Sequence, residues 1–293
     1  MIDVSESSVR AVCISLVLAL VASGCGTSAP PDRAGLSAAA AGETLWMTGH
    51  GLRLKTKIYR SASAGDHPVL LLVLHGDSPF GPPSYQYLFA RRAASQIDGV
   101  VSAALLRPGY ADGTGDQSDG ARGLTTGDNY TPDVVDAGAD ILDQLKAKLR
   151  PRATVLVGHS GGAAIAANML GRHPSAAEGA LLVSCPCDLA AWRSHMLKLQ
   201  KNPIWKLPVR SLSPIDLSGS VAPTVHVRML VGSQDDIAPP ALTEKYAAAL
   251  RARGIDVAAT IVPDLPHDIL LESIAFERLD ALVRMLSQIP PVK

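Results

Sequence analysis

Aromatic residues are scarce in this chain: three Phe, three Trp and six Tyr among 293 residues. That leaves little for a broad aromatic platform of the kind that grips polysaccharide or lignin-like polymers. Charge of either sign is also not in excess, with Lys+Arg and Asp+Glu equal at 27 each. No basic stripe interleaved with aromatics appears, so the electrostatic footprint of a nucleic-acid partner is missing and a polyanionic substrate is disfavoured. Cysteine is sparse, four residues in all, which excludes a fold built on a disulfide framework. The longest apolar run, residues 11–21, is too short to cross a bilayer as a permanent helix. What is present, 47% hydrophobic and 18% charged residues, suits one compact α/β domain of the larger kind.

The N-terminus differs in composition from the rest. Arg10 precedes the apolar run 11–21, and Ala22-Ser23-Gly24-Cys25 closes it, which reads as a secretory signal at residues 1–24. The closing tetrapeptide resembles the lipobox of bacterial lipoproteins. It departs from that pattern in having Ala22 where leucine is usual and in carrying Asp3 and Glu6 ahead of the apolar run. The resemblance implies that Cys25 becomes the lipidated first residue, anchoring an extracytoplasmic protein to a bacterial membrane; the alternative is an ordinary cleaved signal and a secreted or periplasmic protein. Residues 25–42, rich in Ala, Gly, Ser and Pro, have the composition of a flexible tether, and the folded domain is expected over 43–293. With Cys13 removed and Cys25 lipidated, Cys185 and Cys187 remain. They either close a small ring across Pro186 or leave Cys185 as the buried end of a strand, the reading preferred here, and two ligands are too few for a structural zinc.

Residues 52–59 alternate apolar and polar, the period of a half-exposed antiparallel strand, and predict an opening edge hairpin. Continuous apolar runs at 69–74, 100–106, 154–157, 179–184, 225–231 and 257–262 predict strands buried on both faces. Between and after them, 87–96, 133–149, 161–170, 242–253 and 269–287 carry apolar residues at three- and four-residue spacing and predict helices. This alternation describes a doubly wound, mostly parallel α/β sheet with helices on both faces. Residues 188–221 break it. They contain Trp192, Trp205, Pro203, Pro208 and Pro214 and are expected to form a short cap.

Gly158-His159-Ser160-Gly161-Gly162 falls where the strand 154–157 turns into the helix that follows. A Gly-x-Ser-x-Gly turn lets strand and helix pass closely and pushes the serine hydroxyl out over the sheet edge, nominating Ser160 as a nucleophile. A serine hydroxyl needs a base to take its proton and a third group to orient that base. His267 lies in a loop after the last predicted strand, and Asp235 lies just beyond the strand 225–231. Both sit at carboxyl ends of strands, where reacting groups gather in parallel sheets. Asp236 is the alternative acid, with Asp235 then only capping the following turn.

With these residues in place, the domain resembles the α/β-hydrolases, whose chain order Ser, Asp, His it shares. Ser213-Pro214-Ile215-Asp216, Gly232-x-x-Asp235 with Pro239, and His267 after a helix are similar to the catalytic domain of the prolyl oligopeptidase family; compact esterases and dienelactone hydrolases share the remaining pattern. No room exists before Ser160 for the repeated blades of a gating propeller. The resemblance implies an oxyanion hole made by the N–H of Gly161 and an N–H after His75-Gly76, contributed by Asp77. An acidic residue there is a departure, and it requires the Asp77 side chain to point away while its N–H points in. His75 reads as a structural turn residue. His159, Tyr110, Trp192 and His195 are possible substrate contacts, with packing or solvent exposure the plainer reading of each. The segment 109–116 looks only superficially like a phosphate loop, because no helix or lysine follows at the right place, and is expected at the rim of the site.

Together these readings describe a serine hydrolase acting on a carboxylic ester or similar small acyl substrate through an acyl-Ser160 intermediate, with no metal and no organic cofactor. The alternatives are a small-peptide serine peptidase of prolyl oligopeptidase type and a non-catalytic binding lipoprotein on the same fold.

Overall fold

The computed structural model describes residues 42–288. The signal segment, Cys25 and all but the last residue of the expected tether lie outside the described residues. Eight strands form one sheet in the order β1-β2-β4-β3-β5-β6-β7-β8. They are β1 (Glu43–Gly49), β2 (Leu52–Arg60), β3 (Val69–Leu74), β4 (Val100–Leu105), β5 (Ala153–His159), β6 (Gly179–Val183), β7 (His226–Gly232) and β8 (Asp256–Val262). β1 and β2 are the opening hairpin, and β2 runs antiparallel to β4; every other pairing is parallel.

The described residues form seven helices: α1 (Tyr85–Gln96), α2 (Pro132–Leu149), α3 (Gly161–Arg172), α4 (Leu189–Gln200), α5 (Pro214–Leu217), α6 (Pro240–Arg251) and α7 (Ser273–Ser287). The period-2 geometry of a strand sends alternate side chains to opposite faces, and β3 shows the result. Leu70, Leu72 and Leu74 join a core with residues of α2, α3, α4 and α6, while Val69, Leu71 and Val73 join a second core with α1 and α7. All six are buried, each contributing about 1.5–3 kcal/mol of apolar burial. None of the helices among the described residues is long and apolar enough to cross a membrane.

Four expectations need correction. The alternation at 52–59 predicted Lys55 and Tyr59 in solvent, but both are buried. Lys55 Nζ donates to Asp112 Oδ2 at 2.6 Å, Asp116 Oδ2 at 2.6 Å and Thr114 Oγ1 at 3.0 Å, so its charge enters the protein with partners. β8 was expected to be covered on both faces; it is an edge strand, and its residues are half-buried or exposed. The last helix begins at Ser273 rather than Ile269, and the backbone between runs through turns at Ile269 and Glu272. Finally, β6 stops at Val183, two residues before Cys185, and Cys185 is disulfide-bonded to Cys187.

Between β6 and β7, the segment 188–221 carries α4, a 3-10 turn at Pro203–Lys206 and α5. Asp188 caps α4 by accepting from Ala191 N at 3.0 Å. Trp192 and Trp205 are buried edge to face, 5.3 Å between ring centroids, and Trp192 Nε1 donates to Ile237 O at 2.8 Å. Trp192 ties this segment to the loop after β7.

Candidate active site

The turn from β5 into α3 sets the geometry. Ser160 has φ 52° and ψ −122°, a conformation that a residue with a side chain rarely adopts. It is held there by its N–H, which donates to Val183 O at 2.8 Å, and by its carbonyl, which accepts from Ala163 and Ala164 N–H. Strand and helix pass so closely that a Cβ on Gly158 would meet Ala163 Cα at 2.5 Å, and one on Gly162 would meet His75 O at 2.5 Å. The Gly76 position is similarly tight: a Cβ there would lie 2.9 Å from Ser160 Cβ. The loop after β3 therefore lies directly against the serine.

His267 and Asp235 meet. His267 Nδ1 lies 2.9 Å from each Asp235 carboxylate oxygen. Asp235 is buried, and its Oδ1 also accepts from Ile237 N at 3.0 Å and Ala238 N at 2.7 Å. The two readings of Asp235 thus coincide, since it caps its own turn and contacts the histidine. Asp236 instead offers its backbone carbonyl to His195 Nε2 at 2.6 Å. The His267 carbonyl is held from two sides, by Ser184 Oγ–H at 2.7 Å and by His159 Nε2 at 3.2 Å.

His159 is itself oriented by Tyr85, whose Oη lies 3.0 Å from Nδ1 and also accepts from Gly76 N–H at 2.5 Å. Burial, and next the neighbouring His267, hold the His159 pKa down at about 4, so the ring is neutral at pH 7. Burial also pushes the Tyr85 phenol up, keeping it protonated. A chain of contacts therefore runs from Gly76 through Tyr85 and His159 to the backbone of His267.

Asp77 takes a different solution from the one expected. Its carboxylate does not turn away from the turn: Oδ1 lies 2.8 Å from where a Gly161 Cβ would be. Its charge is met in place by Arg107 Nη1 at 3.0 Å, with Tyr130 Oη at 2.7 Å and Gly127 N–H at 2.8 Å donating to Oδ2 and Tyr110 Oη 3.4 Å from Oδ1. The Arg107 guanidinium is fully buried and stands over the Tyr110 and Tyr130 rings. His75 supports the same loop. Its Nδ1 donates to Gly76 O at 2.7 Å and its Nε2 accepts from Arg107 N–H at 3.0 Å, while burial and then the Arg107 charge push its pKa well down.

A cavity of about 400 Å³ opens beside the serine turn, lined by Asp77, Ser78, Tyr85, His159, Asp268 and Leu270 among others. A smaller one of about 80 Å³ is bounded by Asp77, Tyr110, Arg122 and Leu124. Of the four possible substrate contacts, His159 lines the first and Tyr110 the second. Trp192 is buried in packing, and His195 sits by the Asp236 carbonyl. The 109–116 loop lies at the rim of a further cavity, through Gly109, Tyr110, Ala111 and Asp112. Arg107, Tyr130, Tyr85 and Ser184 were missed. Arg107 had a signal, being the charged residue that directly follows the apolar run 100–106; the other three had none.

The chain belongs to the alpha/beta hydrolase family, whose model matches residues 70–216. No curated protein shows a matching sequence. Among solved structures it is similar to an esterase of Pyrococcus furiosus, with TM-score 0.65 and 14% identity over 86% of this chain and 92% of that one. It is also similar to the Pyrococcus horikoshii acylaminoacyl peptidase, with TM-score 0.63 and 11% identity over 84% of this chain and 41% of that one. A puromycin-hydrolyzing peptidase of Mycobacterium tuberculosis gives TM-score 0.67 and 18% identity, over 84% of this chain and 39% of that one. The chain thus spans about two fifths of the length of these peptidases.

Proposed function

We propose that the protein is a serine hydrolase that cleaves a carboxylic ester or similar small acyl substrate through a covalent acyl-Ser160 intermediate. The observation that carries this reading is the contact of His267 Nδ1 with both Asp235 oxygens at 2.9 Å, with the His267 carbonyl 3.2 Å from Nε2 of His159, the residue before Ser160 in the strained strand-to-helix turn. Asp235 fixes the histidine tautomer with its proton on Nδ1, leaving Nε2 as the base. His267 Nε2 takes the Ser160 hydroxyl proton as Oγ bonds to the substrate carbonyl carbon. The N–H groups of Gly161 and Asp77 receive the resulting oxyanion, each worth about 3 kcal/mol in the transition state. The intermediate collapses as the alcohol departs with the proton from His267, and water then releases the acid by the same steps in reverse. Arg107 offsets the Asp77 carboxylate, so the hole keeps a favourable potential for negative charge.

The catalytic residues come from a single domain, with residues 188–221 as its short cap. An extracytoplasmic location, with Cys25 lipidated and residues 25–42 as the tether, completes the proposal.

Labelling by a fluorophosphonate probe tests it. The wild-type protein is expected to label and to hydrolyse short p-nitrophenyl esters faster than aminoacyl and prolyl p-nitroanilides, and Ser160→Ala to do neither. Labelling that survives in Ser160→Ala would refute the nucleophile. Faster cleavage of the anilides would move the assignment to a small-peptide peptidase, and a wild-type protein that never labels would leave the binding-lipoprotein reading.

A further inference from the structure

His159, His267 and Asp268 each bring one metal-ligating atom into a group whose members lie within 4.8 Å of one another. The second ring nitrogen of each histidine has a polar partner. Asp235 holds His267 by Nδ1, leaving Nε2 free, and Tyr85 faces His159 at Nδ1, while His159 Nε2 contacts the His267 carbonyl at 3.2 Å and stands 3.7 Å from Asp268 Oδ1. A ligating histidine characteristically has its second nitrogen on a carboxylate or other polar partner, which fixes the ring and raises its basicity. The arrangement that prepares His267 as a base therefore prepares it equally as a ligand for a borderline-soft divalent ion.

We propose that His159, His267 and Asp268 form an inhibitory zinc site. Two imidazoles and one carboxylate are a common three-ligand set for this ion, with the fourth position left to water. Zinc needs ligands about 2.0–2.2 Å away, so the three atoms must draw somewhat closer. The Asp268 side chain, 88% exposed, is free to make most of that movement. The proton on His159 Nε2 leaves the His267 carbonyl and moves to Nδ1, where Tyr85 Oη accepts it instead of donating, so no net proton is released at that ring. Asp268 and Asp235 supply two negative charges against the two positive charges of the ion. Bound zinc occupies the lone pair of His267 Nε2, and proton abstraction from Ser160 stops. The inhibition rests on the proposed role of His267; the binding does not.

The test uses zinc chloride in a non-coordinating buffer with the full chain, binding being read by calorimetry and by competition with a chromophoric chelator. Ser160→Ala, inactive under the proposed function, is expected to bind zinc as tightly as wild type, so metal binding is read without catalysis. Asp268→Asn is expected to bind at least tenfold more weakly, and His267→Ala to lose the site. In the wild type, turnover is expected to fall with zinc occupancy and to return on adding chelator. No zinc binding by Ser160→Ala, or undiminished binding in both Asp268→Asn and His267→Ala, would overturn the proposal. The latter result would place the ion on a surface His-Asp pair such as His173 and Asp136 or His226 and Asp256, which lie 2.7 and 2.8 Å apart.

Discussion

Arg107 Nη1 and Asp77 Oδ1 stand 3.0 Å apart where neither side chain has appreciable contact with solvent, 0% and 6% exposed respectively. Removing one partner of such a pair leaves the other charge buried alone, which costs about 3–5 kcal/mol. Arg107→Met is therefore expected to lower the urea unfolding midpoint sharply, and whatever fraction folds should turn over slowly because an unbalanced carboxylate faces the developing oxyanion. Asp77→Leu combined with Arg107→Met should recover much of the stability. A single Arg107→Met within 1 kcal/mol of wild type would contradict this account of the pair.

Asp235→Asn tests the orienting role separately from folding. Asparagine can still accept from Ile237 and Ala238 N–H, so the turn after β7 should persist and Tm should change little. The amide offers His267 Nδ1 a donor or a weaker acceptor and favours the wrong tautomer, for which a loss of about 10⁴-fold in kcat is expected. Burst kinetics with a p-nitrophenyl ester would show whether the loss lies in acylation. Turnover within tenfold of wild type would remove Asp235 from the mechanism.

Acid should weaken the fold in two separable windows. His159 has a folded pKa of about 4 against about 6.5 when unfolded. As pH falls below about 6.5 the unfolded chain takes up a proton that the folded one refuses, and stability declines until about pH 4. His75, also held well below its ordinary range by burial, adds to the same decline. Asp112 behaves differently. Burial alone would raise it, but hydrogen bonds from Lys55 and Thr114 hold it at about 2, so its contribution is complete above about 3.9 and is lost only as pH falls toward 2. Unfolding midpoints at pH 7, 5.5 and 4.5 should fall steadily, and His159→Gln should flatten that slope. An unchanged slope in the variant would show that the ring titrates normally.

The Cys185–Cys187 bond closes a very short loop, with a sequence separation of 2. Loop-closure entropy for so few residues is worth only about 1–2 kcal/mol. Cys185→Ala with Cys187→Ala is expected to lower Tm by a few degrees while leaving ester turnover within about twofold, and thiol titration of the unfolded wild type should find these two cysteines oxidised. A collapse of folding in the double variant would mean that the bond does more than limit the unfolded chain.

The parts of this molecule that follow local rules could be read from the chain. Apolar runs without alternation marked β3 to β7, and short loops at their carboxyl ends put Asp235 and His267 on the same sheet edge as Ser160. Long-range pairing was not legible. Lys55 looks like an ordinary outward residue of an alternating strand, because the two carboxylates that draw it inward lie 57 and 61 residues further on. β8 carries the same apolar composition as its inner neighbours, and only the strand order makes it an edge. Asp77 looked like a liability beside an oxyanion; its remedy, Arg107, comes from the loop after the neighbouring strand β4, 30 residues away.

The Lys55 ammonium occupies the space among Asp112, Thr114 and Asp116 that a dissolved calcium ion would fill in a loop of comparable oxygen content. The loop that presents Tyr110 toward Asp77 thus takes its counter-ion from β2 of the same chain. A side chain, unlike a dissolved ion, cannot be diluted away or chelated, so the carboxylates of that rim keep their partner whatever ions the surroundings supply.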